Sequence, residues 1–176
     1  MGEINIARLE KYIAGDIPPH FRGEPGQEAY MLYAQLAKEL PRKRPKISDL
    51  GTYQGLSALA LSFRPRANVY SYDIDLSYNI VSPKTNIHFI EGDVFDNIDK
   101  IIDSDLILVD LDPHDGIQEK RFLDILEDEY YDGISVWDDI HLNVGMKNFW
   151  HKVKLKKEDV TSIGHHSGTG IIRHYA

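Results

Sequence analysis

Aspartate follows each of several short, strand-like apolar segments in this sequence. Carboxylates gathered in one place can bind a divalent cation, accept hydrogen bonds from hydroxyl groups or take a proton during a reaction. The alternative is that each carboxylate caps the helix that begins after its segment. The residues in question are Asp49, Asp73, Asp93, Asp110, Asp112, Asp138 and Asp139, and His114 and His141 stand close behind the later ones.

A second feature is a glycine-containing turn within residues 46–61, KISDLGTYQGLSALAL. An apolar strand precedes Gly51 and good helix formers follow Gly55, so a ligand could approach the backbone closely here. The turn is not a phosphate-binding loop, because the lysine that follows the second glycine of such loops is missing. It also lacks the G-x-G-x-x-G spacing of dinucleotide-binding proteins. Asp73, however, lies about 20 residues on, a suitable distance for binding a ribose.

The composition limits the classes of protein that need to be considered. The 176 residues suffice for one domain with a sizeable core, and a net charge of -8 gives no reason to expect nucleic acid or an acidic membrane as a partner. The absence of cysteine excludes disulfides and thiolate metal sites. No apolar run is long enough to span a bilayer. We therefore expect a soluble cytoplasmic protein, and a homo-oligomer stays open.

The elements that carry these residues alternate between strand and helix from residue 46 to about residue 150. This alternation predicts an α/β fold with an open, doubly wound, mostly parallel Rossmann-like sheet of about seven strands. The last two strands, at 160–166 and 169–175, form an antiparallel C-terminal hairpin. Ligands bind such sheets beyond the carboxyl ends of the strands, where the aspartates would meet. The other predicted strands are one that ends before Gly51, then 68–74, 86–90, 105–111 and 133–139.

We expect one structural domain with two parts. Residues 1–45 form an N-terminal helical or lid segment, in which helical spacing from Ala29 to Leu40 ends at Pro41. A loop rich in glycine and proline precedes this helix, and its His20 could line one side of a ligand pocket. Residues 46–176 form the ligand-binding domain, since they contain the whole strand and helix alternation.

A ligand with a ribose, an adenine and a positive charge, but without phosphate, suits the acidic edge best. S-adenosylmethionine has all three features. Its ribose hydroxyls can donate to Asp73 and its adenine amino group to Asp93, while its ammonium and sulfonium groups favour negative surroundings. The competing ligand is a nicotinamide dinucleotide, whose pyrophosphate the many carboxylates would repel.

Five segments together resemble the ordered motifs of class I S-adenosylmethionine-dependent methyltransferases. They are ISDLGTYQGLSALAL, VYSYDID, IHFIEGDVFD, DLILVDLDPHDG and ISVWDDIH, within residues 46–150, and the first is similar to the catechol O-methyltransferase branch. The resemblance implies a methionine site around Gly51, Tyr53 and Ser57, a ribose at Asp73, and an adenine bordered by Asp93 and Val94. The full set of implied cofactor-binding residues is Asp49, Gly51, Thr52, Tyr53, Gly55, Ser57, Asp73, Ile74, Asp93, Val94 and Asp110.

The resemblance also implies a metal site and a base. Asp110, Asp138 and Asp139 occupy the positions of metal ligands in metal-dependent O-methyltransferases, and their oxygen atoms suit Mg²⁺. The macrocin-type sugar O-methyltransferases are most similar at this point, and they imply Asp112 or His141 as the general base. Catechol-type enzymes have a lysine three residues after the metal aspartate. Here Pro113 stands there, so His114 becomes a third candidate.

The sequence thus predicts an enzyme that transfers a methyl group from S-adenosylmethionine to a hydroxyl of a small molecule, a sugar or glycan, with Mg²⁺ assisting. Two alternatives remain. One is a metal-independent methyltransferase that acts on another small molecule. The other is a protein that binds S-adenosylmethionine without catalysing transfer, which the missing lysine would explain.

Overall fold

The computed structural model describes residues 4–175 and contains a seven-stranded sheet at its centre. The strand order is β3-β2-β1-β4-β5-β7-β6, in which β1 to β5 are parallel and β7 is antiparallel to both of its neighbours. The predicted doubly wound, mostly parallel sheet is therefore confirmed. The strands are β1 Lys46–Leu50, β2 Asn68–Asp73, β3 Ile87–Glu91, β4 Leu106–Val109, β5 Ile134–Asp138, β6 Lys157–Asp159 and β7 Thr169–Arg173.

The central strands are buried because apolar layers cover both faces of the sheet. All four residues of β4 are buried, as their continuous apolar sequence predicts for a parallel strand with helices on each side. One face packs against the N-terminal helices, and the other packs around Phe122 and Trp137. The sheet therefore brings the carboxyl ends of five parallel strands to one edge of a rigid core.

Short helices connect the strands, and they are shorter than the sequence pattern suggests. Residues 94–102, VFDNIDKII, have a helical pattern but form a 3₁₀ helix, Val94–Asn97, followed by α3. Among the described residues, only α4 and α1 reach ten residues or more. The α-helices are α1 Tyr30–Glu39, α2 Leu56–Leu61, α3 Ile98–Ile101, α4 Ile117–Asp128 and α5 Val144–Lys152.

The C-terminal hairpin is present, but its first strand lies earlier than the sequence indicates. The predicted strand over 160–166 is wrong: strand β6 ends at Asp159, and residues 160–168 form the connection to β7. Gly168 has a φ of +105°, and its N–H donates to the His165 carbonyl oxygen in a turn. The Ser167 carbonyl oxygen accepts from the His141 N–H, just after β5. This connection therefore passes over the carboxyl end of β5 instead of extending the sheet.

The N-terminal segment packs directly on the sheet. Two 3₁₀ helices, Ile6–Tyr12 and Pro19–Arg22, precede α1, and their residues Leu9 and Phe21 are buried in the same core as Ile47 of β1. The assignment of residues 1–45 as a lid stays a prediction. Among the described residues, none of the helices has the length and apolar character needed to cross a membrane.

Candidate active site

A cleft of about 1180 Å³ lies at the carboxyl ends of the parallel strands. Most residues predicted for a site contribute to its wall. Three do not: Asp49 and Gly55 lie outside the lining, and so does His141. The predicted residues that line the cleft are Gly51, Thr52, Tyr53, Ser57, Asp73, Ile74, Asp93, Val94, Asp110, Asp112, His114, Asp138 and Asp139.

The turn after β1 brings its backbone against the neighbouring strand end. Gly51 has a φ of +88°, and a Cβ atom built on it would lie 1.8 Å from the carbonyl oxygen of Asp110. Only glycine fits this approach. The next residues turn away, and the Tyr53 N–H donates to Asp73 Oδ2 at 2.8 Å. The loop is thereby fixed between the ends of β2 and β4.

Asp73 and Asp93 stand at neighbouring strand ends, as predicted, and both accept backbone hydrogen bonds. Asp73 also accepts from the Asp75 N–H at 3.1 Å, which leaves carboxylate lone pairs directed toward the cleft. Asp93 Oδ1 accepts from the Phe95 N–H at 2.8 Å and so caps the 3₁₀ helix that follows β3. Asp93 is therefore a helix cap and a cleft residue at once.

Asp49 is fully buried directly beneath the loop. Its Oδ2 accepts hydrogen bonds from the hydroxyls of Ser71 at 2.6 Å, Ser57 at 3.0 Å and Thr52 at 3.4 Å. Its Oδ1 has no partner. Burial raises the pKa of Asp49 from 3.8 to about 6, against the three hydroxyls, which lower it. A buried carboxylate with an unpaired oxygen favours a cationic or hydrogen-bond-donating ligand above it.

The other end of the cleft contains carboxylates and imidazoles in contact with one another. His114 Nδ1 lies 3.7 Å from Asp139 Oδ2, and His114 Nε2 lies 3.8 Å from Asp110 Oδ1 and 3.4 Å from Asp112 Oδ1. His165 Nδ1 lies 3.3 Å from Asp139 Oδ1. Asp139 therefore presents one oxygen to each histidine.

Two groups of potential metal ligands result from this arrangement among the residues the structure describes. One combines Asp110, His114 and Asp139, and the other combines Asp138, Asp139 and His165, with ligand atoms within 4.8 Å of one another in each. The three predicted metal aspartates are thus all present. Each group, however, includes an imidazole that the sequence prediction of an all-carboxylate site did not contain.

The negative charges of the carboxylates at this end of the cleft repel one another. Burial, together with the charges of Asp138 and Asp139, raises the pKa of Asp110 well above its usual value. Burial also raises the pKa of Asp138 to about 6. Burial acts on Asp139 in the same direction, but hydrogen bonds from His165 and Ser167 outweigh it and lower the pKa of Asp139. Carboxylates so disposed favour a cation or a proton among them.

His141 and His165 have positions that the sequence did not predict. His141 lies outside the cleft lining, where its Nε2 is 2.7 Å from Asp159 Oδ2 on β6. His165, which falls within the predicted strand over 160–166, lies in the cleft because the connection 160–168 passes over the end of β5. The glycines at 164 and 168 were the signal that these residues form a loop.

The N-terminal segment supplies one wall of the same cleft. His20, Tyr30 and Tyr33 all line it. Tyr33 is 3% exposed and its hydroxyl has no hydrogen-bond partner. Burial and the charges of Asp138 and Asp110 raise the pKa of this hydroxyl.

Comparisons with known proteins place the fold. No protein-family model matches this sequence, and no curated protein matches it. The chain is similar to the structure of a Staphylococcus aureus protein assigned as a caffeoyl-CoA O-methyltransferase, with a TM-score of 0.62 at 14% identity over 97% of this chain and 93% of that one. The chain is also similar to human methyltransferase-like protein 13 in complex with S-adenosylhomocysteine, with a TM-score of 0.54 at 16% identity over 83% of this chain and 80% of that one.

A third match is Aeropyrum pernix fibrillarin with bound S-adenosylmethionine, at a TM-score of 0.52 and 16% identity over 92% of this chain and 86% of that one. At these identities the likeness concerns the fold. The chain has the fold of class I methyltransferases. The narrower resemblance to catechol-type and macrocin-type enzymes stays a prediction.

Proposed function

We propose that this protein is an S-adenosylmethionine-dependent methyltransferase that acts on a hydroxyl of a small molecule, a sugar or glycan, with a divalent metal assisting. One observation carries the proposal. A single cleft joins a loop and carboxylates suited to a nucleoside, around Asp73, to a cluster of acids and imidazoles around Asp139. A donor and an acceptor could therefore meet in one enclosure.

The cofactor half of the cleft fits S-adenosylmethionine by its own chemistry. Asp73 has free lone pairs for two ribose hydroxyls, and Gly51, by lacking a Cβ, lets the loop that lines the cleft pack against the Asp110 carbonyl. Asp49, buried beneath the loop, accepts hydrogen bonds from the hydroxyls of Thr52 and Ser57 and so positions two residues that line the cleft. A pyrophosphate would instead meet carboxylates at several strand ends, which disfavours a nicotinamide dinucleotide.

The acceptor half would orient the hydroxyl and receive its proton. S-adenosylmethionine supplies a methyl group on a sulfonium, and a divalent metal would make the acceptor hydroxyl more acidic. Asp139 would hold that metal together with either Asp110 and His114 or Asp138 and His165. Asp112, whose side chain is 95% exposed at the rim and 3.4 Å from His114, would take the proton as the acceptor oxygen bonds to the methyl carbon and the methyl–sulfur bond breaks, which leaves S-adenosylhomocysteine.

The test is methyl transfer from radiolabelled S-adenosylmethionine to a panel of sugars, glycosylated compounds and phenols, with and without EDTA. We expect a labelled sugar or glycoside whose formation stops in EDTA and returns on adding a divalent metal. Labelling that EDTA leaves unchanged would support the metal-independent alternative. Binding of S-adenosylhomocysteine without transfer to any acceptor would support a non-catalytic binding protein.

A further inference from the structure

The ligand groups at the acceptor end differ from the all-oxygen set that Mg²⁺ requires. Mg²⁺ takes carboxylate and water oxygens in near-ideal octahedral geometry, whereas imidazole suits transition metals such as Zn²⁺, Fe²⁺, Ni²⁺ and Cu²⁺. Both groups of ligand atoms found among the described residues contain a histidine. The chemistry of the donors therefore points away from Mg²⁺ as the preferred ion.

One donor atom from each of Asp110, His114 and Asp139 lies within 4.8 Å of the other two. His114 Nδ1 lies 3.7 Å from Asp139 Oδ2, and His114 Nε2 lies 3.8 Å from Asp110 Oδ1, both beyond ordinary hydrogen-bond length. Two ligands bound at about 2.1 Å to one ion stand roughly 3.0–3.5 Å apart. Only one nitrogen of His114 would bind the ion, so the three side chains would move closer together on coordination.

The hydrogen-bonding state of the two histidines distinguishes the two groups. His165 Nδ1 already has the Ser167 hydroxyl at 2.5 Å and Asp139 at 3.3 Å. His114 Nδ1 is buried and has no hydrogen-bond partner. A buried nitrogen without a partner costs free energy unless something binds it. The group with His114 is therefore the better candidate for an ion.

An independent observation comes from the opposite wall. The hydroxyl of Tyr33, on α1, is buried in the same cleft without a hydrogen bond of ordinary geometry, and the carboxylates that act on it are Asp138, which is within its hydrogen-bonding influence, and Asp110. A polar group enclosed in this way marks a place where a ligand or an ion with its water molecules completes the hydrogen bonding.

We propose that Asp110, His114 and Asp139 bind one divalent transition-metal ion in preference to Mg²⁺. His165 is then a positioning residue, which holds Asp139 from its other oxygen while Ser167 donates to the same carboxylate. The proposal deepens the metal-assisted part of the proposed function. Its test uses neither S-adenosylmethionine nor an acceptor, so its failure is distinguishable from the failure of methyl transfer.

The experiment is a titration of the full chain, prepared without a histidine tag, with Co²⁺, followed by visible absorption. We expect one Co²⁺ per chain, with an absorption band that reports a nitrogen ligand. Mg²⁺ should displace Co²⁺ only at concentrations at least about 100-fold higher. Displacement at equal concentrations, or the absence of Co²⁺ binding, would overturn the proposal.

Asparagine variants assign the ligands with little disturbance of the backbone. His114 and Asp139 have φ values of +54° and +60°, a conformation that asparagine tolerates well. His114→Asn and Asp139→Asn should weaken Co²⁺ binding more than about 100-fold, and His165→Asn about 10–100-fold, as for an outer partner. His151→Asn, on the exposed end of α5, is the matched control.

The variants also define the contrary results. Circular dichroism and melting temperature identify any variant that fails to fold. If His114→Asn does not fold, the Co²⁺ affinity of Asp139→Asn tests the same group of ligands. Undiminished Co²⁺ affinity in a folded His114→Asn protein would contradict the assignment. So would a larger loss in His165→Asn than in His114→Asn, because the ion would then lie in the group with Asp138.

Discussion

Gly51 and Asp110 stand in backbone contact at the point where the two halves of the cleft meet. A Cβ on Gly51 would lie 1.8 Å from the carbonyl oxygen of Asp110, so the loop after β1 and the end of β4 are as close as glycine allows. The residues that would hold a nucleoside and those that would hold a metal are therefore positioned by one contact.

The first prediction concerns this contact. Gly51→Ala should lower the free energy of unfolding by more than the cost of placing an alanine in the left-handed region, which is about 1–2 kcal/mol. The melting temperature should fall accordingly. The additional loss arises because the Asp110 carbonyl must move. Gly15→Ala is the matched control, since Gly15 has a φ of +81° with nothing within 4 Å of a Cβ. Equal melting temperatures of the two variants would show that the contact is unimportant.

The second prediction concerns the ribose. Asp73→Ala should weaken S-adenosylhomocysteine binding by about 1.5–3 kcal/mol, because hydrogen bonds to a charged carboxylate are lost. The fold should persist, since Asp73 lies at a strand end and only the loop N–H groups lose a partner. Calorimetry measures the affinity, and Asp99→Ala, at an exposed position of α3, is the control. Unchanged affinity in Asp73→Ala would remove this residue from the site.

The third prediction concerns the pH dependence of stability. The pKa of Asp49 is raised from 3.8 to about 6 by burial, so folding favours its protonated form. The stability that this carboxyl contributes is complete below about pH 4 and is lost as the pH rises through about 6. Asp49→Asn removes this loss while its amide oxygen still accepts from the three hydroxyls.

The gain in unfolding free energy from Asp49→Asn should thus be about 2 kcal/mol larger near pH 7.5 than near pH 4.5. Urea denaturation of ligand-free protein at both pH values measures it, with Asp99→Asn as the control that should show no such difference. A gain that is independent of pH would mean that Asp49 is ionised in the folded protein at both values.

Much of the fold was predictable because its signals are local. The continuous apolar run of β4 indicates a strand buried on both faces. The aspartates at the ends of β2 and β5 indicate strand ends that share one edge of the sheet. Both patterns can be read from residues that are neighbours in the sequence. Asp73 and Asp110 are found at the cleft for that reason. Trp137 and Trp150 are buried, as expected of core residues.

The parts that escaped prediction depend on contacts between distant segments. His165 reaches the cleft because the connection 160–168 crosses the end of β5, and no local periodicity in the sequence predicts this path. The burial of the Tyr33 hydroxyl arises from α1 packing over strands that follow it in the chain. His141 is two residues from Asp139, but its pairing with Asp159 directs it elsewhere, and only the three-dimensional structure shows this.

The fourth prediction compares Asp112 and His141, two of the three proton acceptors that the sequence suggested. Asp112→Asn should lower kcat about 10²-fold or more on an acceptor found in the screen, with S-adenosylhomocysteine affinity retained. His141→Ala should lower kcat less, because its ring pairs with Asp159 outside the cleft lining. Single-turnover rates measure both. A larger loss in His141→Ala would favour His141 as the base.

Calorimetric binding of S-adenosylhomocysteine, measured beside NAD⁺ under the same conditions, tests the central claim most directly. The account predicts that one molecule of S-adenosylhomocysteine binds per chain and that NAD⁺ in excess does not displace it. Binding of NAD⁺ with no binding of S-adenosylhomocysteine would contradict it.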